Sequence, residues 1–170
     1  MSIFENSILV NKKPSVGNVI GRIACIVFLA FFLILTFSPL APGLFLLPAI
    51  LVGFIFYLLH MEAQTEYEYT YIEGQLSFAK VKAKRKRKEL GDIDMDEVLM
   101  IAPAGSPDMR PYHNGQQVKV RNYTSGNSGA KIYEVAYKAG EGVRIVKFEP
   151  DINMLELIQA RNMRKVIIDR

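Results

Sequence analysis

The chain changes its hydrophobic pattern once, near residue 62. Before that point, thirty-nine residues from Ile23 to Met61 contain no Asp, Glu, Lys or Arg. As one helix they would reach about 58 Å, nearly twice the ~30 Å hydrocarbon core of a bilayer. The cluster Ser38-Pro39-Leu40-Ala41-Pro42-Gly43 falls where a chain crossing twice must turn. The pattern therefore predicts an N-terminal segment, 1–15, and a transmembrane helical hairpin over 16–61, with spans at 16–37 and 44–61. Arg22 lies close enough to the start of the first span for its guanidinium to reach the headgroups. Pro48 sits in the opening turns of the second, where a missing backbone donor is best tolerated. Tyr57 and His60 mark the far approach to the interface. A cleaved signal peptide is the rival reading, because Lys12-Lys13 precede an apolar run. The first run is long enough to span, and a second follows at once, which favours two spans.

After Glu62 the period becomes two. Tyr67, Tyr69 and Tyr71 share one face, with Glu66, Glu68 and Thr70 on the other. Glu73-Gly74 is a two-residue turn signal, and Leu76 and Phe78 resume the alternation, so 66–72 and 75–83 form a hairpin. Further extended segments are expected at 85–90 and 98–102. Residues 103–115 read as a loop, 118–123 as another strand, and 125–129 as a flexible connection. A second hairpin follows over 132–137 and 143–148. Pro150, at a helix start with Asp151 in its first turn, opens an amphipathic helix carrying Ile152, Leu155 and Ile158. It ends near Asn162, with an extended tail at 165–168. The expected fold is a membrane α-hairpin followed by an α+β domain over 62–170. That domain is a mostly antiparallel β roll or barrel closed by a C-terminal α-helix, the element order of a pleckstrin-homology-like module.

Particular segments strengthen that reading. Glu66 to Tyr71, Gly74-Gln75-Leu76-Ser77-Phe78, the basic run Lys84 to Lys88, and Phe148-Glu149-Pro150 before a helix with its Arg-Lys-Val tail resemble small two-span bacterial membrane proteins. That family is similar to a membrane-tethered relative of bacterial pleckstrin-homology domains. The resemblance covers most of the polar part and implies the architecture; it carries over no activity, cofactor or binding residue.

Charge refines the picture. The formal net charge is +4. Up to Met61 the charges are Lys12, Lys13 and Arg22 against Glu5, and the rest of the chain holds 18 basic and 16 acidic side chains. Basicity is thus local. Basic residues flank both spans and the turn between them has none, so both termini are expected in the cytoplasm at the plasma membrane. The densest run is Lys80, Lys82, Lys84, Lys86 and Lys88, with Arg85 and Arg87 interleaved. If extended, it points its lysines to one face and its arginines to the other. Such a strand either protects a sheet edge from pairing or meets anionic lipid headgroups or an acidic partner. Nucleic acid is the weaker reading, because the neighbouring tyrosines suit a half-buried sheet better than a stacking platform.

Other polar groups carry little chemistry. Asp92-Ile93-Asp94-Met95-Asp96-Glu97 fails as a calcium loop: its sixth position is Glu97 where glycine is needed, and its twelfth is Pro103. It reads as a solvated turn beside the basic strand, able to pair with Lys86 or Arg87. His60 and His113 offer no metal pair and no nucleophile–base pair. Cys25 lies in the first span, and 125–129 lacks the lysine of a phosphate loop. No cofactor, metal or catalytic residue is expected. Gly17 and Gly21 are spaced to let helices approach closely. The sequence thus predicts a membrane-anchored binding or adaptor module rather than an enzyme. The alternative is an assembly subunit of a membrane protein complex, holding a partner peptide between sheet and helix.

Overall fold

The computed structural model describes residues 5–39, 43–114, 118–140 and 142–169. The centre of the expected membrane turn (40–42), Gly115 of the expected loop and Glu141 of the second hairpin connection lie outside them. The elements in chain order are β1 (Glu5–Asn11), α1 (Val16–Thr36), α2 (Leu46–Ala63), β2 (Thr65–Ile72), β3 (Gln75–Lys82), β4 (Lys86–Asp94) and β5 (Val98–Pro103). A 3₁₀ turn (Pro107–Met109) then leads into the single-turn α3 (Arg110–His113). After it come β6 (Lys119–Asn122), β7 (Tyr133–Ala139), β8 (Gly142–Phe148) and α4 (Ile152–Arg161).

α1 and α2 pack as an antiparallel pair of about 32 and 27 Å. Both are long and apolar enough to cross a membrane. They leave large side chains such as Ile34 and Leu47 about three-quarters exposed, a surface that lipid accepts and water does not. Ser15 caps α1 by accepting from the Asn18 N–H. Gly21 faces the partner helix: a Cβ there would stand 3.2 Å from Leu59 Cδ1. Its missing side chain serves packing inside the hairpin, whereas Gly17 has nothing within 4 Å.

The sheet order revises the expected domain plan. Residues 5–11, expected to lie in a separate N-terminal segment, form the edge strand of a β1-β2-β3-β4 sheet, with Asn11 opposite Glu66 and Glu5 opposite Ile72. The apolar hairpin is therefore inserted between two adjacent antiparallel strands. The Lys12 N–H donates to Thr65 O (2.8 Å), so the ladder persists until the chain enters α1 and leaves α2. Alternation over Ile8 and Val10 was the only signal for β1, and it is short.

The second sheet runs β5-β7-β8-β6. β6 lies parallel to β8, with Lys119 opposite Arg144, an arrangement that alternation cannot reveal. The two sheets remain separate. At one corner Arg121 spans the gap between their edges, its Nη1 donating to Leu90 O (3.1 Å). Among the described residues, eight strands thus form two open sheets with no closed barrel between them.

Tyr67, Tyr69 and Tyr71 do point inward, joined by Phe78, Phe148, Val135 and the α4 residues Met154, Leu155 and Ile158. Tyr69 meets Phe78 and Phe148 edge-on at 5.7 Å, and its buried hydroxyl donates to Tyr123 O. α4 is capped by Asp151, which accepts from the Met154 N–H, so Asp151 precedes the helix instead of lying in its first turn. The tail after α4 returns to β5, where Val166 bridges Ile101.

The segment read as a loop after Pro103 has its own structure. Met109 is fully buried with Ala102, Ala136 and Ile145 on the outer face of the second sheet. β7 is consequently covered on both sides. Ser125, expected in a flexible connection, is also buried, and its N–H and hydroxyl both donate to Glu149.

Candidate functional site

The basic run is a hairpin tip, not one strand. β3 ends at Lys82, β4 begins at Lys86, and Ala83 and Lys84 adopt φ of 48° and 54° to make the turn. Lys80 stands opposite Lys88, Val81 opposite Arg87 and Lys82 opposite Lys86. Residues directly opposed across a ladder share a face. Lys80, Lys82, Lys86 and Lys88 therefore all lie on the face that carries Tyr67 and Phe78 deeper in the roll. Lys84 and Arg85 occupy the turn. Arg87 lies on the outer face, where its Nε meets Glu68 Oε2 at 3.0 Å. The division of lysines from Arg87 thus survives the turn, because three intervening residues return the chain with its faces preserved.

Register also places the tip. Lys82 is opposite Thr65, two residues beyond the end of α2, and the Ala83 N–H donates to Gln64 O (2.7 Å). Like charges directly opposed destabilise a hairpin. Here they gather at the end of the roll where both apolar helices enter. Lys80 shows the consequence: desolvation first, then the charges of Lys82, Lys12 and Lys88, hold its ammonium below the usual lysine range, with Glu62 acting the other way.

The acids lie elsewhere. Asp92 pairs across from Ser77 and Asp94 from Gln75, so the Asp92–Glu97 run is at the opposite end of β4 from the tip. The expected pairing of that run with Lys86 or Arg87 is thereby overturned, and Arg87 takes Glu68 instead. A β-bulge between Glu89 and Gly91 adds to the separation. The basic run thus lies where the helices enter and the Asp92–Glu97 run at the far end, where Lys165 Nζ donates to Met95 O (3.2 Å) and Arg161 Nη1 to Glu73 O (2.6 Å). Among the described residues no group of three His, Cys, Asp or Glu side chains could hold a metal ion.

Two features were missed in the sequence. Glu134, 1% exposed, accepts from Lys147 Nζ at 3.0 Å and lies 2.7 Å from His113 Nε2. Only its position within the apolar β7 could have marked it. The other is a cavity of about 260 Å³ where α4 meets the β2–β3 turn, lined by Tyr71, Glu73, Leu157, Ala160 and Arg161. The Tyr71 hydroxyl is buried there without a partner among the described residues.

Neither a curated protein nor a solved structure matches this chain. A family model does, and it spans residues 5–168, taking in β1, the inserted helices, both sheets, α4 and the returning tail. The two-sheet roll with its C-terminal helix and the two apolar helices agree with that match, and the chain belongs to the bacterial PH-like domain family (DUF6106).

Proposed function

We propose that this protein is a membrane-anchored module that works by binding rather than catalysis, its β3–β4 tip held against the anionic cytoplasmic face of the plasma membrane. The observation that carries this reading is the register of Lys82 with Thr65, which puts the cationic tip beside the exit of α2. Each basic side chain near an anionic leaflet contributes about 1 kcal/mol, within roughly 10 Å at physiological salt. The helices already provide attachment, so the tip orients the roll and gathers acidic lipid. The end carrying the Asp92–Glu97 run is then presented to the cytoplasm, and both termini lie on that side, consistent with Lys12, Lys13 and the tip flanking the spans.

Hydrogen exchange on the full chain in nanodiscs tests this. Backbone amides of 82–88 should exchange more slowly in discs containing anionic lipid than in neutral ones, and salt should erase the difference. Identical exchange in both discs would refute the orientation. A second reading, an assembly subunit that holds a partner peptide, is favoured by the cavity between α4 and the β2–β3 turn. It predicts a co-purifying protein released by Leu157→Glu, with tip protection unchanged.

A further inference from the structure

Where β1 passes into α1 and α2 into β2, a cleft of about 120 Å³ opens at the join, with Lys12, Lys13, Asn18, Glu62, Thr65 and Lys80 among its lining. Its charges are out of balance, three ammonium groups against one carboxylate. Lys80 also feels Lys82 and Lys88 from the tip. Lys80 is partly withdrawn from water beside the exposed Lys12 and Lys13, and the single Glu62 carboxylate offsets only part of this charge.

Asn18 makes the cleft more than a patch of charge. It lies in the first turn of α1 and is 8% exposed. Its Nδ2 donates to Leu59 O at 3.0 Å, which fixes the amide plane and leaves Oδ1 as a buried acceptor without a partner among the described residues. A buried acceptor of this kind calls for a donor. The cleft thus joins cationic groups suited to a phosphate with two acceptors, Asn18 Oδ1 and the Glu62 carboxylate, each suited to a hydroxyl. It lies level with the first turn of α1 and the last turn of α2, where the apolar helix surface begins.

We propose that this cleft seats one anionic phospholipid, its phosphodiester against Lys12, Lys13 and Lys80 and two headgroup hydroxyls donating one to Asn18 Oδ1 and one to Glu62. The proposal rests on the reading that this end of the roll faces lipid, and it deepens that reading from a diffuse attraction to a stoichiometric site. The inserted helices are essential to it, since Asn18 and Glu62 belong to them.

The test is native mass spectrometry of the full chain released from detergent, titrated with phosphatidylglycerol, phosphatidic acid or phosphatidylcholine of equal acyl chains. One phosphatidylglycerol should be retained per chain, about tenfold or more tighter than phosphatidylcholine, and tighter than phosphatidic acid, which lacks these hydroxyls. Lys80→Gln should weaken that adduct by about tenfold, as should Lys12→Gln, an exposed substitution that spares the core. The triple change Lys84→Gln, Arg85→Gln, Lys86→Gln should leave the adduct intact while removing the anionic-lipid protection of the tip. Loss of tip protection alone therefore counts against the orientation, not against this site. The site is overturned if the cleft variants retain the adduct, if the tip variant alone loses it, or if phosphatidic acid binds as tightly as phosphatidylglycerol. Equal competition by soluble glycerol phosphate would likewise overturn the assignment to lipid.

Discussion

Removing the Lys147 ammonium should cost more than removing the carboxylate it pairs with. Glu134 and Lys147 stand directly opposite each other on β7 and β8, and Glu134 is 1% exposed while Lys147 and His113 are 33% and 35% exposed. Lys147→Met keeps most of the aliphatic stem but leaves a buried carboxylate with only His113. Breaking a buried pair from one side costs about 3–5 kcal/mol, and the remaining histidine together with partial solvent access brings this to about 2–3 kcal/mol. Glu134→Leu instead removes the buried charge itself. Its two partners, each about one-third exposed, turn to water, and the cost is about 1 kcal/mol. The double variant should lie within about 1 kcal/mol of wild type, because no unpaired charge remains buried. Thermal unfolding of the full chain in detergent, followed by near-ultraviolet circular dichroism of the roll's tyrosines, reads these differences. Lys147→Met should lower Tm by about 10 °C, and the double variant should recover most of that loss. If Lys147→Met is no worse than Glu134→Leu, the carboxylate is not the buried partner that its surroundings make it.

Two further outcomes test the core and the inserted architecture. Tyr67, Tyr69 and Tyr71 all have phenols raised above the usual 10.0, desolvation being the largest cause at each. A raised folded-state value means their contribution to stability is complete below pH ~10 and is lost as pH rises through the higher folded values. Ultraviolet titration should therefore show these three ionising together with unfolding, and all eight tyrosines titrating normally in a folded chain would contradict their burial. Deleting residues 1–11 uncovers the β2 edge, so the β2 amides that face β1 should exchange at rates near those of free peptide. Unchanged exchange would mean that these residues add nothing to the sheet.

Much of this architecture follows from residue order alone, because the forces involved are local. A charge-free run longer than one bilayer crossing, broken by Pro and Gly, specifies two apolar helices whatever else the chain does. Strict alternation at Tyr67, Tyr69 and Tyr71, and the turn at Glu73-Gly74 with both residues at positive φ, specify the first hairpin of the roll. An Asp followed by Ile152, Leu155 and Ile158 specifies α4 to within a residue or so. The separation of lysines from Arg87 was legible from a period of two, but it holds only because the turn at Ala83, Lys84 and Arg85 has three residues and keeps the faces in step.

Tertiary structure decided what depends on pairing between distant residues. β1 is a strand because β2 lies beside it, sixty residues on, and seven residues in isolation do not hold that form. The parallel match of β6 with β8, the burial of Met109, and the trio around Glu134 likewise arise only when sheets and loop close on one another. Most consequentially, register alone carried Lys80 to Lys88 to the end where the helices enter and sent the Asp92–Glu97 run to the other. Sequence separation between those two charged runs is small, yet a strand of nine residues places its ends about 27 Å apart, and that length keeps the two runs at opposite ends of the roll.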